Sequence, residues 1–264
     1  MIKIKTPEEI EQMKFSALMV GETLAEVSHY IRPGVSTKKL DSVAEDFICS
    51  KGATPTFKGY GGFPASLCIS INEAVVHGIP SNREIKEGDI VSIDCGCTFN
   101  GWVGDSAYTF AVRGAKKEDK QLLKVTKESL YLGIKECVVG HRLGDIGFAI
   151  QSYCESFGYG VVRELCGHGL GRVMHEDPNV LNYGKKGTGI KLREGMTIAI
   201  EPMITLGNKE LVFHNDGWTC TTMDNSTAAH FEHDVAITKD GPIILSSFAP
   251  IEEAIKSNEY LESI

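Results

Sequence analysis

Two acidic residues stand at matching places in a repeated stretch of this sequence. The runs KEGDIVSIDCG and REGMTIAIEPM each carry a charged residue, Glu-Gly, a β-favouring segment and then a carboxylate, so that Asp94 and Glu201 occupy equivalent positions. An acid at the end of an apolar strand normally needs a partner, because an unpaired carboxylate is costly to bury. A bound cation is one such partner, and it is the expected one when several acids converge.

A hairpin signal adds a third carboxylate. Asn-Gly is favoured in two-residue β-turns whose residues both need a positive φ, and the chain carries this pair at Asn100 and Gly101. If the pair forms the turn, Asp94 faces Ala107 and Asp105 lies two positions away on the adjacent strand. The Cβ atoms of the two acids are then within about 7–8 Å. We therefore predict that both carboxylates point the same way.

A fourth acid and a histidine complete the candidate set. Glu232 stands in AAHFEHDVAIT, at the start of a strand like that of Asp105, and His168 lies between glycines in CGHGLG, which leave its imidazole unobstructed. Four carboxylates and one imidazole are too many ligands for one metal but suit two, especially if Asp105 and Glu232 bridge them. Such a set binds Mn²⁺, Fe²⁺, Co²⁺ or Zn²⁺. Without cations, mutual repulsion would raise several carboxyl pKa values.

Each of these residues has a simpler explanation when it is taken singly. A strand-end acid is usually a cap or a surface charge, and a histidine among glycines is usually structural or solvated. The run GHGLG lacks the GxGxxG spacing of a dinucleotide loop, and HEDPN lacks the HExxH spacing of a helical zinc site. A dinuclear metal centre accounts for all five residues together.

The repeat extends into the elements that must position these residues. Apolar residues at helical spacing recur at nearly the same offset as the two acids, and Gly34 and Gly140 stand just ahead of the two segments. The apolar positions are Leu40, Val43, Ala44 and Phe47 in the first segment and Ile146, Ala149, Ile150 and Tyr153 in the second. We predict one catalytic domain, residues 1–264, built from two similar α/β halves, about 1–113 and 114–250, that share one sheet and one core.

In each half a helix pair is predicted to precede three or four strands. An apolar stripe at 3-4 spacing from Ile10 to Ile31 indicates the first helix, and Ser36-Thr37 can cap the second. Strands are indicated by the runs SLCISI, DIVSIDCG, DSAYTFAV, MTIAIEPM and HDVAITK. Successive side chains of a strand point to opposite faces of the sheet, so the acids and their small neighbours are predicted to lie on the face that the helices do not cover.

Composition and charge are those of an ordinary globular chain. The 264 residues are 42% hydrophobic and 23% charged, with a formal net charge of −8 and no long basic block, which argues against direct nucleic-acid recognition. No apolar run approaches the ~20 residues that span a bilayer. The start, MIKIKTPEEIEQM, turns acidic where a secretory signal needs apolar residues, so we expect a soluble cytoplasmic protein. Eight cysteines without a CxxC pair predict free thiols rather than a zinc finger.

At these residues the sequence resembles the type I methionine aminopeptidases of the compact bacterial kind. The blocks that carry the resemblance are FKGYGGFPASLCISINEAVVHGIP, the ten-residue gap from Asp94 to Asp105, CGHGLGRVMHEDP, IAIEPM and FEHDVAIT, in the family's order. The resemblance implies an α/β (α+β) pita-bread fold, whose pseudo-two-fold halves share a curved, mainly antiparallel sheet with helices on its outer face. The segment between His168 and Glu201 is too short for the helical insert of the type II enzymes.

The resemblance also implies how the five ligands divide between two divalent ions of Co, Mn, Fe or Zn. One ion would be held by Asp94, Asp105 and Glu232. The other would be held by Asp105, His168, Glu201 and Glu232. A water or hydroxide between the ions would attack the first peptide bond, and Glu201 would also pass its proton towards the leaving amine.

Two further histidines match family motifs. His175, in RVMHEDP, is the residue that would stabilise the oxyanion of the tetrahedral intermediate. His77, in VVHGIP, would contact the second residue of the substrate or the scissile amide. Taken singly, either histidine could be structural. The remaining histidines have no such support: His29, His141, His214, His230 and His233.

An apolar pocket for the methionine side chain is implied by the same resemblance. The matching positions are Phe57, Tyr60, Phe63, Cys68, Met174 and Trp218. Aromatic rings and a flexible thioether can surround a methionine through sulfur–aromatic contacts. Phe63 stands where some relatives have Tyr, so one pocket hydroxyl is absent and the fine specificity is open.

The implied function is removal of the initiator methionine from nascent chains, with a preference for a small second residue such as Gly, Ala or Ser. The partner would be a nascent polypeptide near the ribosome, and we expect a monomer. A short basic stretch is a docking candidate or only a solvated loop: Lys185, Lys186, Lys191 and Arg193. Two alternatives stay open, a metallopeptidase with prolidase-like specificity and a non-catalytic binding protein of the same fold.

Overall fold

Five α-helices and sixteen mostly short strands make up the computed structural model, which describes residues 1–264. The helices are α1 (Pro7–Ser28), α2 (Thr37–Ser50), α3 (Lys117–Lys135), α4 (Leu143–Ser156) and α5 (Ala249–Ser257). The strands are β1 (Thr54–Pro55), β2 (Leu67–Ile71), β3 (Ala74–Val76), β4 (Ile90–Phe99), β5 (Trp102–Val112), β6 (Gly160–Val161), β7 (Gly167–Gly169), β8 (Glu176–Val180), β9 (Thr197–Ile200), β10 (Met203–Thr205), β11 (Leu211–Phe213), β12 (Cys220–Thr222), β13 (Ala228–His230), β14 (His233–Thr238), β15 (Gly241–Ile244) and β16 (Leu261–Glu262). None of the helices has both the length and the apolar character that a bilayer crossing requires.

The first two helices begin at capping residues. Thr6 and Glu9 form a capping box at the start of α1, and Ser36 accepts a hydrogen bond from the backbone N–H of Lys39 at the start of α2, 3.3 Å away. The start of α2 at Thr37 therefore confirms the cap prediction. The predicted stripe of α1 is buried along the helix: Ile10, Met13, Ala17, Val20, Leu24 and Val27.

β4 and β5 form the hairpin that the Asn-Gly pair predicts. Both turn residues have a positive φ, 51° for Asn100 and 75° for Gly101. The register pairs Asp94 with Ala107 and puts Asp105 two positions away on β5, opposite a glycine of β4. The diagonal arrangement of the two acids is therefore confirmed.

Two strand predictions need correction. Asp94 does not end its strand, because pairing with β5 carries β4 on to Phe99. The run MTIAIEPM is not one strand either, since Glu201 and Pro202 separate β9 from β10. Proline has no N–H to donate to a ladder, so it is found where regular pairing stops. Glu201 consequently lies in a break between strands, where its backbone is free of the ladder.

Every strand pairing is antiparallel, and the ladders form four segments. The two largest are β1-β4-β5-β16, with β2 also on β4, and β15-β14-β9-β7-β8; the others are β13-β10-β6 and β11-β12-β3. The larger segments meet beside β5, where the Glu232 N–H donates to the Ala107 carbonyl at 3.0 Å. The Ser106 hydroxyl also donates to the Glu232 carbonyl at 2.7 Å. These bonds join the sheet into one curved surface at the place where the acids lie.

The same elements recur at nearly constant spacing along the chain. α2 and α4 each have 14 residues, and their starts are separated by almost the same interval as the starts of β4 and β9. Two isolated β-bridges also lie at corresponding places in the two halves: Ser36 pairs with Glu84, and Arg142 pairs with Lys191. The helices pack on the outer face, α1 against β4 and β5 and α3 against β13. The pita-bread fold class is confirmed, while the residue limits of the single domain and of its halves stay a prediction.

Candidate active site and metal centre

One cavity of about 510 Å³ brings together all of the site residues named from the sequence. Its lining includes the four acids and the imidazole, the two further histidines and the six apolar-pocket residues: Asp94, Asp105, His168, Glu201, Glu232, His77, His175, Phe57, Tyr60, Phe63, Cys68, Met174 and Trp218. These residues come from segments far apart in the sequence, so only the fold unites them.

The imidazole of His168 is oriented for metal binding. Its Nδ1 lies 2.9 Å from the carbonyl oxygen of Gly169, which can only accept, so Nδ1 carries the hydrogen. Nε2 is left with a lone pair, 3.6 Å from Asp105 Oδ2 and 3.8 Å from Glu201 Oε1. His168 thus faces the acids with the atom that binds metals.

The tightest group in the cavity contains Asp105, His168 and Glu232. One ligand atom from each lies within 4.8 Å of the others, and all three residues are buried. Glu201 lies next to this group, with its Oε1 3.8 Å from His168 Nε2. Asp94 lies outside the group but faces the same cavity from β4, the strand next to Asp105.

Burial raises the pKa values of these carboxyls more than their mutual repulsion does. The pKa values of Asp94, Asp105 and Glu232 are raised well above the usual range, first by burial and then by the charges of neighbouring carboxylates. The predicted rise in pKa is therefore confirmed, although burial is its larger cause. Ionised carboxylates in such a place need positive charge nearby.

The buried oxygens lack protein partners, and this supports a metal at the site. Asp94 Oδ1, Asp105 Oδ1 and Glu232 Oε1 are buried and accept no hydrogen bond. Buried polar atoms are nearly always paired, so three unpaired carboxyl oxygens on residues that line one cavity call for a ligand. An oxygen-rich set with one nitrogen fits divalent cations of the Mn, Fe, Co and Zn group.

His175 and Tyr60 form a pair at the mouth of the cavity. The Tyr60 hydroxyl lies 2.7 Å from His175 Nδ1. Partial burial, and then the neighbouring His168, lower the pKa of His175 to about 4, so the ring is neutral near pH 7. If Tyr60 donates to Nδ1, the hydrogen of the neutral ring lies on Nε2. This nitrogen can then donate to an oxygen in the cavity.

His77 joins the cavity lining from a different segment. Its φ is 58°, a left-handed conformation that is uncommon outside glycine and asparagine. Burial is the main cause that lowers the pKa of His77, so this ring too is neutral near pH 7. A residue held in such a conformation indicates a local constraint on where its ring points.

An apolar pocket adjoins the acids. A separate buried cluster contains Phe57, Phe63, Cys68 and Met174, with Trp218 packed against it. The Phe63 and Trp218 rings are edge to face at 5.1 Å between centroids. Gly96 makes room for this wall, because a Cβ there would lie 2.7 Å from the Phe57 ring.

A short turn holds the indole of Trp218 in the pocket wall. Asp216 accepts hydrogen bonds from the N–H groups of Trp218 and Thr219, each at 2.9 Å, and from the Thr219 hydroxyl at 2.6 Å. Such an Asx turn orders the backbone locally. The aromatic side of the pocket is thereby fixed to the loop between β11 and β12.

Sequence reasoning missed two buried residues beside the site. His230 Nε2 lies 3.3 Å from Glu201 Oε2, and Asp234 Oδ2 accepts from the backbone N–H of Asp105 at 2.7 Å. Alternation offered a signal for both, because residues two before and two after Glu232 lie on its side of an extended chain. The break between β13 and β14 made that signal easy to overlook.

The fold and the cavity together define a class of protein. A buried carboxylate–imidazole cluster beside an open apolar pocket can bind metal ions next to an apolar group of a substrate. Residues 11–239 match the sequence model of metallopeptidase family M24. The chain therefore belongs to metallopeptidase family M24.

Close relatives identify the branch of the family to which the chain belongs. The chain is 53% identical to the methionine aminopeptidase of Clostridium acetobutylicum over 247 residues, which cover 93% of this chain and 99% of the relative. The crystal structure of methionine aminopeptidase from Rickettsia prowazekii superimposes with a TM-score of 0.92 at 44% identity, covering 94% of this chain and 100% of that chain. Within the family the chain is thus one of the type I methionine aminopeptidases, and it is an enzyme.

More distant structures share the fold alone. The Xaa-Pro dipeptidase from Bacillus anthracis has a TM-score of 0.75 at 22% identity, and the match covers 92% of this chain but 62% of that one. The common part is the pita-bread domain.

Proposed function

We propose that this enzyme removes the N-terminal methionine from nascent proteins and peptides, with a preference for a small second residue. The observation that carries the proposal is the shared cavity. A cluster of metal-ligand residues and an apolar pocket line the same 510 Å³ space. A peptide whose first side chain fills the pocket has its first peptide bond beside the cluster.

The unpaired buried oxygens support two divalent cations at the cluster. We propose Asp94, Asp105 and Glu232 as ligands of one and Asp105, His168, Glu201 and Glu232 as ligands of the other. When bound, such cations supply Lewis acidity and lower the pKa of a coordinated water. The identity of the ion stays open among Co, Mn, Fe and Zn.

Three side chains would carry the remaining chemistry. Glu201 takes the proton of the attacking water on a carboxylate oxygen and passes it to the leaving amine. His175 donates from Nε2 to the carbonyl oxygen as negative charge develops there, and its neutral state favours this role. His77 contacts the second residue or the scissile amide from its own part of the cavity lining.

The nascent polypeptide is the proposed partner, and the enzyme is proposed to act near the ribosome. The basic side chains proposed as a docking candidate are exposed: Lys185, Lys186, Lys191 and Arg193. A monomer suits this role, because the cavity needs no residue from a second chain.

A prolidase-like specificity is the second candidate, favoured only by the shared fold of the Xaa-Pro dipeptidase. Its substrate would place proline after the scissile bond. A non-catalytic role is disfavoured, because none of the candidate metal ligands is missing from the cavity.

The deciding experiment compares Met-Ala-Ser, Met-Leu-Ser and Ala-Pro peptides with the Mn²⁺-, Fe²⁺- or Co²⁺-loaded enzyme under reducing conditions. We expect rapid methionine release from Met-Ala-Ser and at least tenfold slower release from Met-Leu-Ser. A Glu201→Gln variant should lose most of kcat while it retains at least one metal ion per chain. Absence of methionine release from Met-Ala-Ser with every metal would refute the proposal, and preferential cleavage before proline would support the prolidase-like alternative.

A further inference from the structure

His230 is a buried imidazole without a hydrogen-bond partner for its Nε2. The residue is 1% exposed and ends β13. Its Nε2 lies 3.3 Å from Glu201 Oε2, close enough to interact but without the alignment of a full hydrogen bond. Hydrogen bonds at catalytic sites are often long before ligands bind, and they tighten in the complex. The unpaired nitrogen is therefore aimed at the acid that is proposed to move the proton.

The two oxygens of Glu201 face different imidazoles. Oε1 lies 3.8 Å from His168 Nε2, on the side of the proposed metal ligands, and Oε2 lies 3.3 Å from His230 Nε2. If Nε2 of His230 carried a lone pair, it would repel the carboxylate oxygen. The contact is favourable only if this nitrogen carries the hydrogen.

The backbone of His230 is anchored by a side chain of the neighbouring sheet. Thr109 holds it on both sides, because its hydroxyl donates to the His230 carbonyl at 2.6 Å and accepts from the His230 N–H at 3.0 Å. The Thr109 hydroxyl is in turn 2.9 Å from that of Ser92. With the backbone held in this way, the imidazole stays beside Glu201, 3.3 Å from Oε2.

Glu201 needs such a contact because its own segment is irregular. It lies in the break between β9 and β10, and its carbonyl is held by the side chain of Asn182 at 2.9 Å rather than by a strand. The carboxylate is 13% exposed to the cavity, so one oxygen could turn towards water. A donor on Oε2 fixes Oε1 as the oxygen that faces the cluster.

We propose that His230 is a positioning residue for the reaction: its Nε2–H donates to Glu201 Oε2 and holds the carboxylate in the orientation from which it accepts and returns the proton. This inference rests on the proposed role of Glu201 and adds a residue to it. Removing a hydrogen-bond partner of an active-site ligand typically lowers activity or metal affinity by about 10–100-fold.

The kinetic test uses two substitutions and a control. His230→Leu removes the donor, whereas His230→Gln offers a carboxamide N–H to the same oxygen. We expect His230→Leu to lower kcat for Met-Ala-Ser by about 10–100-fold with KM changed by less than about threefold. His230→Gln should stay within about fivefold of wild type. His29→Leu, at an exposed histidine beyond the end of α1, should change nothing.

Metal content and the histidine tautomer distinguish positioning from other roles. Both His230 variants should keep the wild-type metal stoichiometry by elemental analysis. In ¹⁵N-histidine-labelled metal-free protein, long-range ¹H–¹⁵N NMR should show the Nε2–H tautomer at His230. Full kcat in His230→Leu, the Nδ1–H tautomer, or loss of one metal ion in the Leu variant would each overturn the inference. If wild type released no methionine at all, the proposed function would fail, while the tautomer would still report on His230.

Discussion

At the residue scale, the hydrogen position on His175 depends on one hydroxyl. The pKa of about 4 keeps the ring neutral at working pH, and the Tyr60 hydroxyl lies 2.7 Å from Nδ1. If this hydroxyl donates to Nδ1, the ring hydrogen is on Nε2. Only that tautomer can donate to a carbonyl oxygen from Nε2. Tyr60, taken from the sequence as a pocket residue, therefore also acts on the chemistry through His175.

We predict that Tyr60→Phe lowers kcat for Met-Ala-Ser by about tenfold, the equivalent of one hydrogen bond of about 1.4 kcal/mol. KM should change less, because the ring still forms the pocket wall. Steady-state kinetics at full metal loading measures both values. Tyr30→Phe, which changes a tyrosine of similar exposure outside the cavity, is the matched control. An unchanged kcat in Tyr60→Phe would mean that His175 keeps its tautomer without the hydroxyl.

At the element scale, the N-terminal segment holds the loop that carries Met174 and His175. Lys5 Nζ lies 2.6 Å from Glu176 Oε2, and both side chains are buried, 5% and 3% exposed. Lys3 approaches the other oxygen of Glu176 at 3.0 Å. The residues from Arg172 to His175 form no helix or strand. The buried ion pair thus attaches the N-terminal segment to the residue that follows His175.

We predict that Lys5→Met destabilises the protein by about 3 kcal/mol, because it leaves the Glu176 carboxylate buried without its nearest partner. Urea unfolding measures this loss of unfolding free energy. The double variant Lys5→Met/Glu176→Leu should recover much of that free energy, because it leaves no unpaired buried charge. KM for Met-Ala-Ser should rise more than kcat falls, since the loosened loop forms part of the pocket. Lys51→Met breaks an exposed pair with Glu22 and should cost less than about 1 kcal/mol. Equal losses from the two lysine substitutions would contradict the special role of Lys5.

At the scale of the whole molecule, stability is linked to metal content through the buried carboxyls. Asp94, Asp105 and Glu232 have pKa values raised by burial, so in the metal-free protein the folded state holds protons that the unfolded state releases. Their contribution to stability is present at low pH and is lost as pH rises through the folded-state pKa values. His233 has the opposite sign, because burial lowers its pKa to about 3 and its contribution is lost only below about pH 6.5.

We predict that chelation lowers the melting temperature at pH 7.5 by about 5–10 °C, since a metal at 100 times its Kd adds about 2.7 kcal/mol. Between pH 6.5 and 8.5, where His233 does not contribute, the metal-free protein should lose stability as pH rises. Differential scanning calorimetry with and without Mn²⁺ measures both effects. Asp94→Asn removes one of the titrating groups and should flatten the metal-free curve. A metal-free protein equally stable at both pH values would contradict the linkage.

The amino-acid sequence by itself determined the hairpin register and the shared direction of Asp94 and Asp105. Both follow from short-range rules, since an Asn-Gly turn fixes pairing and alternation fixes the face. Spacing along the chain likewise indicated the recurring helices and strands. The resemblance to a family then supplied the pocket residues, which pattern alone would have assigned to the core.

Only the tertiary structure decided which distant side chains meet around those elements. The imidazole of His230 on the second oxygen of Glu201 and the ion pair from Lys5 to Glu176 join segments that are well separated in the sequence. No local pattern encodes such contacts, because they depend on how the sheet curves and where the loops pack. Burial, the main cause of the raised carboxyl pKa values, is likewise a property of the folded molecule.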